Sequence, residues 1–201
     1  MTEQNNTYYL IDGSIYIFQS HFSPYVECFD VDGNDLSAVY GFTQFLLQFL
    51  RRVKPDRIAV ALDESLFSGF RHELCPHYKS NRELPDENLA MQLKACREIC
   101  SILGMASYAS EKYEADDIIG TLSVRMAELL PGEPALCIVT RDKDLSQLLK
   151  TDKDYTWDYS GNRKRYRADI EEEFGVSPEQ FPDYLGLVGD AVDCITGVPG
   201  V

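Results

Sequence analysis

Several features that mark particular protein classes are missing from this sequence. It has no run of about 18 apolar residues, so we expect no membrane span and no membrane partner. Residues 1–7 are polar and lack the basic start and apolar stretch of a signal peptide. The six cysteines are scattered, and the three histidines show no triad-like arrangement. We therefore expect a cytoplasmic protein with reduced thiols.

Basic residues are also scarce. The 19 Lys and Arg against 33 Asp and Glu give a formal net charge of −14 at pH 7. At face value, such a chain is a poor binder of a nucleic-acid phosphate backbone. A generic acidic surface that aids solubility is one interpretation. However, nine of the acids lie in short clusters: Asp12, Asp63, Glu114, Asp116, Asp117, Asp142, Asp144, Asp190 and Asp193.

Short apolar runs alternate with segments of helical periodicity. This alternation predicts an α/β fold with a mostly parallel central sheet that is covered on both faces. Beyond residue 150 the pattern changes to a hairpin and two helical stretches. The predicted strands are 8–11, 58–62, 135–139, 155–158 and 164–166, and the predicted helices are 36–53, 87–103, 115–130, 145–149, 168–174 and 178–188.

Acidic side chains follow three of the predicted strands. Asp12, Asp63 and Asp142 each come just after an apolar run, and Asp12-Gly13 is typical of a turn. Ligands of parallel sheets bind at the carboxyl ends of the strands, which meet at one edge. We therefore expect these three distant segments to deliver acids to one place.

The remaining acids occur in groups that permit two interpretations. Glu114, Asp116 and Asp117 open a predicted helix, where acids commonly cap the helix or favour its macrodipole. Three carboxylates so close in sequence repel one another unless a cation holds them. Asp190 and Asp193 are three residues apart and share a face if that turn is helical. Together the groups predict a shared metal site.

The donor set of this site favours hard divalent cations. Its ligands would be carboxylate oxygens, and no Cys/His cluster accompanies them, so Mg²⁺, or Mn²⁺ in its place, fits best. Nine acids are more than one ion requires and indicate two ions. Two such ions about 4 Å apart can activate a water and stabilise the leaving oxygen in phosphodiester hydrolysis.

A basic and aromatic segment lies between the second predicted strand and the next helix. Its length exceeds that of an ordinary connection, and long loops beside a site are often functional. We expect it to be exposed; a solvated loop without function is the alternative. Its candidate phosphate-gripping and base-stacking residues are Phe70, Arg71, Tyr78, Lys79 and Arg82.

Seven segments, in order along the chain, resemble the 5′→3′ exonuclease (flap endonuclease-like) family, which includes the N-terminal nuclease domain of bacterial DNA polymerase I. Each is weak alone, but together they are specific and cover the chain from Tyr8 onward. They are residues 9–13 (YLIDG), 38–42 (AVYGF), 70–73 (FRHE), 78–82 (YKSNR), 113–117 (YEADD), 140–145 (TRDKDL) and 189–193 (GDAVD).

The resemblance implies a PIN-like three-layer α/β fold. Residues 1–166 would form the nuclease domain, with a helical arch at about 64–90. Residues 167–201 would begin a C-terminal helix–turn–helix (helix-3-turn-helix) DNA-binding domain that is cut off at residue 201 and that in the family often holds K⁺. One departure follows Asp193: residues 194–197 read Cys-Ile-Thr-Gly, where the family usually has Asn-Ile-Pro-Gly.

The resemblance also implies roles for individual residues. Arg71 and Lys79 would be catalytic and, with Arg82, would hold the scissile phosphate and the 5′ strand. Asp117 would support either of two Mg²⁺ ions. The first ion would be held by Asp12, Asp63, Glu114, Asp116 and Asp142, and the second by Asp144, Asp190 and Asp193.

The implied reaction is Mg²⁺-dependent cleavage of DNA at 5′ flaps or 5′ ends by a monomer, in DNA replication and repair. Two alternatives remain open on the sequence. A PIN-type ribonuclease can use a similar acidic pocket, and a DNA-structure-binding protein can retain the fold without activity. Comparing cleavage of a 5′-flap DNA with that of single-stranded RNA separates the two nucleases, and absence of Mg²⁺ or Mn²⁺ binding in a calorimetric titration would favour the inactive protein.

Overall fold

A six-stranded sheet forms the centre of the computed structural model, which describes residues 6–64 and 69–201. The strands are β1 (Thr7–Asp12), β2 (Ile58–Asp63), β3 (Ala106–Ser110), β4 (Ala135–Val139), β5 (Tyr155–Asp158) and β6 (Arg163–Tyr166). Their order in the sheet is β3-β2-β1-β4-β5-β6. Every neighbouring pair is parallel except β5 and β6, which are antiparallel.

Helices cover both faces of this sheet. The helices are α1 (Gly13–His21), α2 (Ser37–Val53), α3 (Phe70–Leu74), α4 (Glu87–Ile102), α5 (Ala115–Leu129), α6 (Arg167–Phe174) and α7 (Phe181–Val188). Helices α1, α2 and α4 contribute to the core on one face, and α5, α6 and α7 contribute to the core on the other. The described residues also include two 3₁₀ turns, Asp144–Leu148 and Pro178–Gln180, and a small pair of strands, β7 (Gly189–Asp190) and β8 (Ile195–Thr196).

Strand β1 lies at the centre of the sheet and is buried on both sides. Tyr9 and Ile11 pack into the core with α2, whereas Tyr8 and Leu10 pack into the core with α5. A central strand of a parallel sheet is apolar throughout for this reason. The chain continues to β2 on one side of β1 and later adds β4 on the other. The carboxyl end of β1 is therefore a topological switch point, where ligands of such sheets bind.

The prediction of an α/β fold with a mostly parallel sheet is confirmed, but the turn predicted after Asp12 is wrong. Helix α1 begins directly at Gly13, because the Asp12 side chain accepts a hydrogen bond from the Ile15 N–H at 3.5 Å and caps the helix. A Cβ on Gly13 would lie 2.7 Å from the Leu62 side chain and 2.8 Å from that of Val60. The glycine thus lets α1 start against β2.

Strands β3, β7 and β8 and helix α3 also lie outside the predicted set. Strand β3 has the sequence ASYAS, in which small residues give no apolar alternation, and it forms the edge of the sheet. Helix α3 lies in the segment predicted as an exposed loop. Within residues 6–64 and 69–201, no helix is long and apolar enough to span a membrane.

Residues after the predicted boundary at 166 share a core with the sheet. Ile170 of α6 and Phe181 of α7 are fully buried in the same cluster as Ile138 of β4. The guanidinium of Arg167 ties this segment down, because it donates to the Leu149 carbonyl at 2.5 Å and to both carboxylate oxygens of Glu179 at 2.7 and 2.9 Å.

We predict that Arg167→Met lowers the free energy of unfolding by about 1–2 kcal/mol at pH 7, because the buried carbonyl of Leu149 loses its charged donor. Glu179→Gln, which breaks only the exposed pair, is expected to cost about 0.5 kcal/mol or less. Urea unfolding followed by circular dichroism measures both. Equal losses would show that the Leu149 contact contributes nothing.

The contribution of the Arg167–Glu179 ion pair to the free energy of unfolding should depend on pH. The hydrogen bond from Arg167 lowers the pKa of Glu179 to about 2 from its ordinary 4.5. A lowered folded-state pKa gives stability that is present above 4.5 and is lost as the pH falls toward 2. The stability difference between wild type and Glu179→Gln should therefore shrink over that range.

Candidate metal centre

Four carboxylates converge at the carboxyl edge of the sheet. Asp12 ends β1, Asp63 ends β2, Asp142 follows β4, and Asp116 lies in the first turn of α5. They are close enough for Asp12, Asp142 and Asp63 all to act on the charge of Asp116. The convergence expected from the strand ends is therefore present in the fold.

Asp12 is nearly inaccessible to solvent, with 3% of its surface exposed. Burial, and then the charge of Asp63, raise its pKa to about 7. Two hydrogen bonds oppose this rise, one from the Thr140 hydroxyl at 3.0 Å and one from the Ile15 N–H. A buried carboxylate with a like-charged neighbour gains from a cation beside it.

Asp116 is a second carboxylate with several like-charged neighbours. Burial raises the pKa of Asp116 well above its usual value, and the charges of Asp12, Asp142 and Asp63 raise it further. The Lys79 ammonium only partly offsets them. The site therefore holds more negative charge than the side chains around it neutralise.

Hydrogen bonds of Asp63 and Asp142 hold the segments that follow β2 and β4. The Asp63 carboxylate accepts from the Ala115 N–H at 2.6 Å, which ties β2 to the start of α5. The Asp63 N–H donates to the Ser14 hydroxyl at 2.8 Å. After β4, the Asp142 N–H donates to the Thr140 hydroxyl at 3.0 Å, and the Asp144 N–H donates to the Asp142 carboxylate at 2.8 Å.

Glu114 and Asp117 combine capping with ion pairing. Asp117 accepts from the Glu114 N–H at 3.0 Å, so the capping interpretation holds for this acid. Asp117 is also bound by Arg71 through two hydrogen bonds of 2.5 and 2.9 Å. Glu114, at the N-cap of α5, accepts from the Tyr78 hydroxyl at 2.9 Å and from the Lys79 ammonium at 2.8 Å.

The remaining acids form a second group beside the first. Lys143 lies 2.9 Å from Asp190 and 3.1 Å from Asp144. The hydrogen bond from Lys143 lowers the pKa of Asp190, whereas burial and the charge of Asp142 raise that of Asp144. Asp193 pairs with Arg82 at 2.8 Å, with Lys79 lying 3.9 Å away.

The carboxylates are not drawn together around a single point. Over the described ranges, no group of three or more His, Cys, Asp or Glu side chains is arranged to hold a metal ion as it stands. The chain's own cations, Lys79, Lys143, Arg71 and Arg82, contact five of the nine acids instead. The all-oxygen donor set and the uncompensated charge around Asp116 fit a hard divalent cation. The metal assignment of each residue stays a prediction.

The basic segment is packed against these acids, and the expectation that it is exposed is wrong for its central residues. Tyr78 is buried, and the Lys79 side chain is only 16% exposed. The Phe70 ring packs against the Tyr113 ring, with 5.6 Å between the ring centroids, and lies under the Arg71 guanidinium. Electrostatic attraction to the acidic cluster explains this docking. The roles of Phe70 and Tyr78 in stacking on bases stay predictions.

A cavity of about 650 Å³ opens beside Asp63 and Glu114. Lys79 and Arg82 contribute positive charge to its wall. Phe18 and Phe22, at the end of α1, contribute apolar rings to the same lining. Asp63 and Glu114 therefore border a cavity that combines cations and aromatic rings.

Comparison with known proteins identifies the family. A family model described as the 5′-3′ exonuclease, N-terminal resolvase-like domain, matches residues 7–175. The chain belongs to this 5′-3′ exonuclease family. The match includes the acids from Asp12 to Asp144, whereas Asp190 and Asp193 lie beyond it.

Curated relatives bear the names of DNA enzymes. A 5′-3′ exonuclease of Buchnera aphidicola is 31% identical over 98% of this chain and 68% of its own length. DNA polymerase I of Bacillus subtilis is 36% identical over 100% of the chain, and that of Mycobacterium tuberculosis is 34% identical over 97%. The chain spans 22% of the length of each of these two polymerases.

Solved structures share the fold. The 5′-exonuclease of T5 with bound zinc ions aligns with a TM-score of 0.72 at 22% identity, covering 97% of this chain and 71% of that one. A flap endonuclease of bacteriophage T5 in a pseudo-enzyme-product complex with DNA and metal ions aligns at 0.72 and 21% identity, with the same coverage. The catalytic core of Rad2 with DNA substrate aligns at 0.57 and 18%, covering 98% and 57%.

In this member of the 5′-3′ exonuclease family, two residues that contact the acids were not predicted from the sequence. Thr140 holds both Asp12 and the Asp142 backbone, and Lys143 bridges Asp144 and Asp190. The position of Thr140 directly after an apolar strand was the available signal for the first. The position of Lys143 between two acids was the signal for the second.

We predict that Thr140→Val weakens divalent-ion binding about 10- to 100-fold, because residues that orient ligands contribute that much to metal affinity. Thr140→Ser keeps the hydroxyl and should bind nearly as the wild type does. Calorimetric titration with Mn²⁺ measures the affinity, and circular dichroism checks the fold. Unchanged affinity in a folded Thr140→Val protein would contradict the role given to Thr140.

Proposed function

We propose that this chain is a metal-dependent 5′→3′ exonuclease and 5′-flap endonuclease that hydrolyses DNA phosphodiester bonds. The observation that carries this proposal is the convergence of Asp12, Asp63, Asp116 and Asp142 from four separate segments at one edge of the sheet. Family membership supports the reaction, since a curated relative that this chain covers over 68% of its length is named a 5′-3′ exonuclease. The structural neighbours from T5 and Rad2 include complexes with DNA.

The proposed cofactors are two Mg²⁺ ions, which Mn²⁺ can replace. When bound, the ions supply activation of a water and stabilisation of charge on the phosphate oxygens. Asp117 would support either ion. We assign Asp12, Asp63, Glu114, Asp116 and Asp142 to the first ion, and Asp144, Asp190 and Asp193 to the second.

Residues of the chain have separate tasks in this proposal. Asp12 is held in place by Thr140, so its carboxylate orientation is fixed before any ligand arrives. Arg71 and Lys79 would donate hydrogen bonds to the scissile phosphate. Both are now paired with acids, Arg71 with Asp117 and Lys79 with Glu114, so binding of the phosphate requires exchange of those ion pairs.

The finer architecture is also proposed. The helical arch would be built from about residues 64–90, of which 65–68 lie outside the described residues, over the nuclease domain of residues 1–166, with Phe70, Tyr78 and Arg82 contacting the 5′ strand. The ion pairs of Arg71 with Asp117 and of Lys79 with Glu114 support this placement. Residues 167–201 would begin the helix–turn–helix segment, with K⁺ as its ion. The protein would act as a cytoplasmic monomer.

We predict that Asp116→Asn slows Mg²⁺-dependent cleavage of a labelled 5′-flap DNA by about 100-fold or more, because loss of a charge-stabilising group costs that much. DNA binding should persist or tighten, since a negative charge near phosphates is removed. Asp183→Asn removes an exposed acid on α7 and should cleave as the wild type does. Gel assays and fluorescence anisotropy give the two readouts.

Other outcomes of this assay would contradict the proposal. Cleavage of single-stranded RNA but not of the flap DNA would indicate a PIN-type ribonuclease. Binding of flap DNA without cleavage by the wild type would indicate an inactive DNA-structure-binding protein. Cleavage by Asp116→Asn at the wild-type rate would show that the acidic cluster is not the active site.

A further inference from the structure

Lys143 occupies a central position in the second acidic group. Its ammonium nitrogen lies 2.9 Å from an oxygen of Asp190 and 3.1 Å from an oxygen of Asp144. Both distances are those of charge-assisted hydrogen bonds or close ion pairs. One ammonium thus bridges two carboxylates that come from separate parts of the chain.

Both acids have a hydrogen bond that does not involve the Lys143 ammonium. The other oxygen of Asp190 accepts from the Val192 N–H at 2.8 Å, which fixes the carboxylate within its own turn. The Asp144 N–H is bound to Asp142 at 2.8 Å, which fixes the backbone of Asp144. The Asp190 carboxylate and the Asp144 backbone are thus held by contacts other than those of Lys143, and the ammonium lies between the two carboxylates.

The ammonium also has a path out of this gap. The Lys143 side chain is 40% exposed, whereas those of Asp144 and Asp190 are 25% and 16% exposed. Lysine carries its charge on a flexible four-carbon stem, so the ammonium can move into solvent while the acids stay in place. A group with this geometry is a displaceable counter-ion.

We propose that Lys143 is a built-in competitor of the second metal ion: its ammonium occupies the space between Asp144 and Asp190 and must leave before both can act as ligands. This inference rests on the proposed function, because it takes these acids as the ligands of the second ion. Lys143 then sets the metal concentration at which the second ion binds. When that ion is absent, the ammonium reduces the electrostatic repulsion between the Asp144 and Asp190 carboxylates.

Calorimetric titration of the whole chain with Mn²⁺, without DNA and at fixed pH and ionic strength, tests the proposal. Lys143→Met keeps the length of the side chain and removes its charge, and the dissociation constant of the second ion should fall about 10-fold or more. The first ion should bind with nearly unchanged affinity. Lys143→Arg keeps the charge and should resemble the wild type, as should Lys153→Met at an exposed lysine.

Thermal unfolding provides a second readout that does not depend on activity. In EDTA, Lys143→Met should melt at a lower temperature than the wild type, because Asp144 and Asp190 lose their counter-ion. Saturating Mn²⁺ should then raise its melting temperature by more than it raises that of the wild type. If Lys143→Met does not fold, Lys143→Gln is measured in its place.

The outcomes separate this inference from the proposed function. An unchanged or weaker second-ion affinity in folded Lys143→Met or Lys143→Gln, with the wild type still cleaving flap DNA, overturns the inference alone. Absence of Mn²⁺ binding to both wild type and variant overturns the proposed function as well. Equal tightening in Lys143→Arg would also overturn the inference, because the guanidinium still competes by charge.

Discussion

Mutual repulsion of carboxylates at one edge of the sheet is the constraint on which this site depends. Asp12 is buried and Asp116 is half-buried, and the charges of Asp63 and Asp142 raise the pKa of both. A fold tolerates such a cluster only where positive charge is supplied. Here the chain supplies part of it from Lys79, and the remainder is what a bound cation would provide.

The supply of positive charge explains the conformation of residues 70–82. A segment rich in Arg and Lys would be expected in solvent, but Arg71, Lys79 and Arg82 all contact acids of the cluster. Partly buried ion pairs of this kind place two long side chains in a single geometry, which an exposed pair rarely does. The surface next to the site therefore carries several cations, although the net charge of the whole chain is −14.

The main outline of the fold and site was predictable because its signals are local. Apolar runs ending in Asp12 and Asp63 show both a buried strand and an acid at its end. Strand β3 gave no such signal, since its small residues lack alternation. Contacts between distant residues could not be predicted either: Thr140 and Asp12 are 128 positions apart, and Lys143 and Asp190 are 47 apart.

The ion pairs at Asp193 have a consequence for how ligands would bind. Arg82 and Lys79 both lie near this carboxylate, at 2.8 and 3.9 Å. Lys79 stays paired with Glu114 at 2.8 Å, so a cation that takes Asp193 would release Arg82 toward an incoming phosphate, and a phosphate that takes Arg82 would free Asp193 for a cation. Each ligand would then increase the affinity of the other by the same factor, since coupling between two binding equilibria is reciprocal.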